Sequence, residues 1–210
     1  MLQNCYNCRN VTKGARYCSK KCWIEDALPT MIEKSGMNKG IYKNYTFENA
    51  KFISKEEKIL EGKVKKYLSK EIEKGLFIFG STGNGKTYII FAVVREVMKA
   101  LMLEAKVFSV PRMIADYKDN HFDNRIIRKA EGIDIAIFDD LGSEYQDKNN
   151  LSTELLTRII DERLVENRLT FFTSNLTPKM IGETLDSRLI SRIKAMTFSI
   201  EMKGKDRRNE

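Results

Sequence analysis

The sequence lacks any apolar run long enough to cross a membrane, and no charged-then-apolar leader opens it. A spanning helix is therefore not expected, no membrane partner is implied, and a cytoplasmic location is. Cysteine is absent after residue 22, so no disulfide framework holds the larger part of the chain. The four cysteines instead crowd at Cys5, Cys8, Cys18 and Cys22, where a reducing compartment favours a metal site over disulfides. Histidine occurs once, as His121, and reads as a surface residue. Internal repeats and low-complexity tracts are also missing, which argues against solenoids and compositionally biased chains.

What remains is an ordinary globular composition of 210 residues, 42% hydrophobic and 31% charged. That length suits one α/β domain with a small appendage. The net charge of +8 favours an anionic partner such as nucleic acid. The chain divides into a cysteine-bearing head (1–30), a linker (31–46) containing the polar run "EKSGMNKGIYKNYT", and a core (47–210). In the core, apolar strands alternate with amphipathic helices. Helix "KYLSKEIEKG" is expected to stop at Gly75, followed by the buried strand "LFIF" and a helix from Lys86 to Leu103. Strands are then expected at "KVFSV" (106–110), "IDIAIFDD" (133–140), "TFFTSN" (170–175) and "MTFSIEM" (196–202). Pro111 and Pro178 open helices, and residues 151–167 form another. Such alternation implies a parallel sheet with helices on both faces.

Between the first core strand and its helix lies Gly80-Ser81-Thr82-Gly83-Asn84-Gly85-Lys86-Thr87, which fits G-x-x-x-x-G-K-[ST] at every fixed position. The glycines let the backbone curl with its N–H groups turned toward phosphate oxygens, and the helix N-terminus adds partial positive charge. Lys86 is expected to reach the β- and γ-phosphates, and the Thr87 hydroxyl to hold Mg²⁺. The spacing predicts a nucleotide triphosphate site and an α/β P-loop fold, and the enzyme is expected to be an ATPase.

"IAIFDDLGSE" supplies an acidic pair at a strand end. Asp139 is placed to bind Mg²⁺ through water, and Asp140 to polarise the attacking water. Aspartate is one methylene shorter than glutamate, which points to slow turnover. Asn175 closes the strand "TFFTSN" at the sheet edge where ligands gather in α/β folds. Two readings stand: an amide that orients water, or a cap before Pro178. Arg188 and Arg192 lie four apart on one helix face. They read as a solvated face, or as an arginine finger that completes a neighbouring subunit's site and so implies a homo-oligomer.

These stretches, with "YKNYTFENAKF" and the closing "KGKDRR", resemble the AAA+ replicative-helicase loaders of DnaC/DnaI type over Tyr42 to Arg208. The resemblance implies a Walker A loop over Gly80–Thr87, a Walker B pair at Asp139 and Asp140, and sensor 1 at Asn175. It implies an arginine finger at Arg192, or less directly Arg188, and a second sensor at Arg208 without the helical lid of most AAA+ proteins. It also implies a hexameric replicative DNA helicase and single-stranded DNA as partners. Relatives carry a DNA-facing insertion where "DYKDNHFDNRIIRKAEG" lies (116–132). There Tyr117, Phe122, Arg125, Arg128 and Lys129 offer stacking and phosphate contacts, or simply a charged outer helix face.

In the head, Cys5-x2-Cys8 and Cys18-x3-Cys22 present two thiolate pairs to one tetrahedral Zn²⁺ in a closed structural site. The head is too short to bury a core, so metal binding would supply its folding energy. Some loaders carry an N-terminal zinc module that docks on the helicase, and on that resemblance Trp23, Ile24 and Leu28 are expected to contact a partner. Trp23 covering the metal site is the other reading. The competing functions are a transposition-accessory AAA+ ATPase of IstB type acting on duplex DNA, a small-molecule P-loop kinase, and a non-hydrolysing adaptor. The zinc-bearing head favours the loader over the IstB type, and no substrate lid with its arginine cluster is evident for a kinase.

Overall fold

The computed structural model describes residues 2–4, 6, 8–13, 18–37, 46–50, 52, 55–69, 72–121, 123–143 and 151–204. The head opens with an antiparallel ribbon of β1 (Leu2–Asn4) and β2 (Val11–Lys13), followed by α1 (Lys20–Ser35). The Ser19 hydroxyl caps α1 by accepting the Cys22 N–H at 3.3 Å, and Gly36 ends it in the left-handed region at φ 89°. α1 thus crosses the expected boundary at residue 30. Ser35 and Met37 are fully buried, so the run beginning at residue 33 starts as helix and core, not as linker. Residues 38–45 lie outside the described residues.

The core begins with α2 (Lys55–Leu68) and β3 (Gly75–Phe79). Gly75 does not stop a helix, which ends at Leu68; it opens the strand. A Cβ there would lie 1.8 Å from the Thr170 carbonyl oxygen, so close backbone approach by the neighbouring strand is why glycine is needed. There follow α3 (Lys86–Leu101), β4 (Ala105–Ser109), α4 (Val110–Asp119), α5 (Arg125–Gly132), β5 (Ile135–Leu141), α6 (Leu151–Val165) and β6 (Leu169–Ser174). α7 (Pro178–Thr184), α8 (Ser187–Met196) and β7 (Thr197–Glu201) complete the chain. Every expected strand forms within two residues of its predicted position.

The five core strands make one parallel sheet in the order β4-β5-β6-β3-β7. Because alternate residues of a strand face opposite ways, each strand feeds two cores. Leu76, Ile78, Ile135, Ile137 and Phe171 face α1, α2 and α3, whereas Phe77, Phe138 and Phe172 face α4 to α8. On the second face an aromatic row crosses the sheet: Phe108 stacks on Phe138 at 5.6 Å, Phe138 on Phe172 at 5.4 Å, and Phe172 meets Phe77 edge-on at 6.3 Å. The row follows the strand register and locks it, since a one-residue slip would turn every ring to the other face.

α1 packs against α3 and the edge strand β4. Trp23 and Leu28 are buried in the first core and Ile24 is packed against it. They therefore contact their own chain, not a partner, and each large side chain so buried contributes about 1.5–3 kcal/mol. Lys20 Nζ donates to the Ala100 carbonyl at the end of α3 (2.9 Å), and Lys106 Nζ to the Lys34 carbonyl at the end of α1 (2.8 Å). Both lysines satisfy helix C-terminal carbonyls that would otherwise lack partners. Among the described residues no helix is long and apolar enough to cross a membrane.

Candidate nucleotide-binding site

The glycine loop leaves β3 at the C-terminal edge of the sheet and enters α3. Gly80 has φ 148°, Gly83 76° and Gly85 92°, the last at the N-cap of α3. A Cβ on Gly80 would approach the Met202 carbonyl oxygen to 2.1 Å. That carbonyl belongs to the segment after β7, which passes over the loop. There Asn84 Nδ2 donates to Met202 O at 2.7 Å, and Ser81 Oγ to Gly204 O at 3.3 Å. Asn84 is buried and also accepts from Lys86 Nζ at 3.3 Å, so it ties loop, lysine and tail together. Lys86 Nζ further donates to the Ser81 carbonyl at 2.7 Å, drawing the ammonium across the loop. Thr82 is exposed at the rim of the turn.

Asp139 and Asp140 sit at the end of β5, one strand removed from the loop in the sheet order. Thr87 Oγ1 donates to Asp139 Oδ1 at 2.8 Å, joining the start of α3 to β5. Thr173 Oγ1 donates to the same oxygen at 2.6 Å and accepts the Asp140 N–H at 2.9 Å. Asp140 holds φ 63°, a backbone conformation unfavourable for a residue with a Cβ. Asn175 lies one residue past β6, and its Nδ2 donates to Asp140 Oδ1 at 2.7 Å. The N-cap of α7 is Thr177, which accepts from Met180 N, and not Asn175.

Burial pushes the Asp139 carboxyl above the ordinary carboxylate range, and the Asp140 charge adds to this. The Thr173 and Thr87 hydroxyls and the Lys86 charge oppose it. A carboxylate whose surroundings disfavour its charge, meeting a threonine hydroxyl beside a glycine loop, is an oxygen donor set that fits Mg²⁺. Asp139 and Thr87 are the residues that could hold it.

Arg188 and Arg192 share a face of α8, which packs on α6 and α7. Arg192 Nε is ion-paired with Asp161 of α6, and Arg188 is exposed. Arg208 and Cys5 lie outside the described residues, as does Phe122. Tyr117 packs against the second core, whereas Arg125, Arg128 and Lys129 are exposed on α5; Arg125 is paired with Asp123.

In the head, Cys8 Sγ lies 3.3 Å from Cys18 Sγ, which lies 3.4 Å from Cys22 Sγ. The edge of a tetrahedral zinc–thiolate site is about 3.8 Å. Three sulfurs converging this closely, all within 4.8 Å of one another, fit a thiophilic ion such as Zn²⁺.

Two residues escaped sequence reasoning. Thr173 is a hydroxyl in the fully buried strand β6, and a polar residue in such a strand is a legible signal. Arg163 gives none: on α6 it reads as a solvated arginine, yet it is completely buried. Its guanidinium donates to the Ala130, Ile133 and Leu169 carbonyls at 2.8, 2.7 and 2.7 Å and to Thr170 Oγ1 at 2.9 Å. It thereby caps α5 and clamps the starts of β5 and β6, the strands whose far ends carry Asp139 and Thr173.

Comparison with known proteins agrees with this architecture. The replicative helicase loader DnaI of Bacillus subtilis (strain 168) is 24% identical over 151 residues, covering 65% of this chain and 48% of the loader. The chain thus spans about half the length of that curated relative. A crystal structure of DnaI superposes with a TM-score of 0.66 at 23% identity, over 79% of this chain and 91% of that one. A crystal structure of the DnaC helicase loader gives 0.67 at 20% identity, over 76% and 97%. At these identities the two structures speak for the fold. The profile of the bacterial DnaA ATPase domain matches residues 41–199, well over half of the sequence, and the chain belongs to that family.

Proposed function

We propose that this chain is an ATP-dependent loader of the hexameric replicative DNA helicase onto single-stranded DNA. The observation that best supports the reading is the hydrogen-bonded series Thr87–Asp139–Thr173–Asp140–Asn175 beside the glycine loop. The family's ATPase character and the likeness to the helicase loaders DnaI and DnaC support the loader part. In this reading residues 80–87 bind the ATP phosphates through loop N–H groups and the α3 N-terminus. Lys86 exchanges its loop carbonyl for phosphate oxygens. Mg²⁺, held by Thr87 and Asp139, would neutralise developing phosphate charge. Asp140 takes up a proton from the attacking water, and Asn175 holds both Asp140 and that water. The short Asp140 side chain makes turnover slow, so binding and release of nucleotide act as an assembly switch. Arg192, or Arg188, reaches a neighbouring subunit's nucleotide in a homo-oligomer. For Arg192 that requires exchanging the Asp161 pair for the neighbour's phosphate. Arg208 adds to the phosphate contacts from the tail. The ATPase core lies within residues 47–210, and Cys5, Cys8, Cys18 and Cys22 of the head hold Zn²⁺, with α1 (Lys20–Ser35) running past residue 30 into the first core.

The match to the DnaA domain favours a second reading, a nucleotide-dependent single-stranded-DNA binder that acts without a helicase. Size exclusion with light scattering distinguishes the two. This chain is mixed with the replicative helicase of its source, with and without ATP·Mg²⁺, and separately with single-stranded DNA. A defined helicase complex supports the loader; DNA binding with no helicase complex refutes it in favour of the second reading.

A further inference from the structure

The β5–β6 ladder breaks at the acidic pair. Phe138 pairs with Phe172, but the next paired residues are Leu141 and Ser174, so Asp139 and Asp140 together oppose the single residue Thr173. This is a bulge, and a bulge re-aims side chains at the cost of ladder hydrogen bonds. A threonine hydroxyl has one proton to give and lone pairs to accept. Thr173 gives its proton to Asp139 Oδ1 at 2.6 Å and accepts the Asp140 N–H at 2.9 Å. One buried hydroxyl therefore replaces the missing ladder bond and joins both acidic residues. The Asp140 backbone it holds is in the left-handed region, which is uncommon for a residue with a Cβ although aspartate tolerates it better than most. On its other side Asp140 is held by Asn175, two residues along the same strand end.

We propose that Thr173 is the positioning residue of this nucleotide site, its hydroxyl aligning the Asp139 carboxylate toward Thr87 and fixing the bulged Asp140 peptide. The inference rests on the nucleotide-binding reading above. It does not require a helicase or DNA partner. Thr173 acts through Asp139 and Asp140 and touches neither phosphate nor water itself. Its contribution belongs to metal-dependent binding and to turnover, not to phosphate binding by the glycine loop.

The test compares the parent chain with Thr173→Val and Thr173→Ser. Val keeps the branched shape and removes both hydrogen bonds; Ser keeps both bonds and removes a methyl. A fluorescent ADP analogue is titrated with and without Mg²⁺, steady-state hydrolysis gives kcat and KM, and a nucleotide-free thermal melt reads the fold. Thr173→Val is expected to bind nucleotide without metal within about twofold of the parent. Its Mg²⁺-dependent gain in affinity and its kcat fall by about 10–100-fold, the usual effect of losing a partner that orients a metal ligand. Thr173→Ser restores both. A Val variant with the parent's Mg²⁺ gain and kcat overturns the inference. So does a Ser variant as impaired as Val, since the methyl packing would then be what matters. Should Val fail the melt, Thr173→Cys carries the comparison, because a thiol keeps the volume but is a weak donor and acceptor; full Mg²⁺ gain in Cys overturns the inference. A parent chain that binds no nucleotide overturns the nucleotide reading itself, whereas a parent that binds with an indifferent Thr173 overturns only this assignment.

Discussion

Replacing Asp139 by Asn separates what the site does for function from what it costs in stability. The carboxylate is held above its ordinary pKa range, burial being the largest cause, so its negative charge is a net burden on the folded chain. Asn has nearly the same shape, and its carbonyl oxygen can accept the Thr87 and Thr173 hydroxyls that now lie at 2.8 and 2.6 Å. The variant keeps those bonds, loses their charge assistance and sheds the desolvation of a carboxylate. Since the shift is upward, the shed cost exceeds the lost bonds. The expected gain is between zero and about 2 kcal/mol, or up to roughly 6 °C in Tm for a chain of this size. The pH dependence has a definite sign. An acid with a raised folded pKa carries its full penalty above that pKa and none below the unfolded value. The Tm advantage of Asp139→Asn over the parent is therefore largest near pH 7 and shrinks as pH falls through the folded pKa. Over the same comparison, Mg²⁺-dependent nucleotide affinity should fall by at least about tenfold, because an amide cannot supply the anionic oxygen a hard cation selects. Scanning calorimetry across pH, with nucleotide titrations at neutral pH, measures both. A nucleotide-free variant that melts well below its parent at pH 7 would refute the argument that charge burial dominates at this position.

Three further outcomes follow from the packing. Arg163→Met strands the Ala130, Ile133 and Leu169 carbonyls inside the core, and denaturant titration should show a loss of at least about 3 kcal/mol; Arg163→Lys recovers part of it, having the charge but not the fork. Gly80→Ala places a methyl against the Met202 carbonyl oxygen, and equilibrium dialysis should show nucleotide affinity reduced at least about tenfold; an unaffected variant would mean that the tail does not lie over the loop in solution. Chelation of the proposed zinc, or Cys22→Ser, should lower the Tm of the whole chain by several degrees and not only unfold the head, since α1 carries Trp23 and Leu28 into the first core. A core melting transition indifferent to both treatments would show that α1 docks without metal.

The alternation of apolar strands and helices made the parallel sheet legible in the sequence. A strand buried on both faces reads as a near-continuous apolar run, as "LFIF", "IAIF" and the "FF" of β6 do. The glycine loop and the acidic strand end were legible for a related reason, since a local backbone curl and a strand terminus depend on residues adjacent in sequence. Element ends were less so. Gly75 looks like a helix stop and is a strand residue, because the need for glycine comes from the backbone of β6 lying against it, across nearly a hundred residues of sequence. Trp23 and Leu28 looked like a docking face because an exposed and a buried apolar helix stripe have the same periodicity. Only the packing of α1 on α3 and β4 shows which it is. Arg163 illustrates the same limit more sharply: a guanidinium becomes an interior clamp only where two separate chain segments, 130–134 and 169–170, bring their oxygens to it. Local chemistry and periodicity are written in neighbouring residues and can be read there. Partnerships between distant residues exist only once the chain has closed on itself, and in this protein they decide how Thr173, Arg163 and the cysteine head are used.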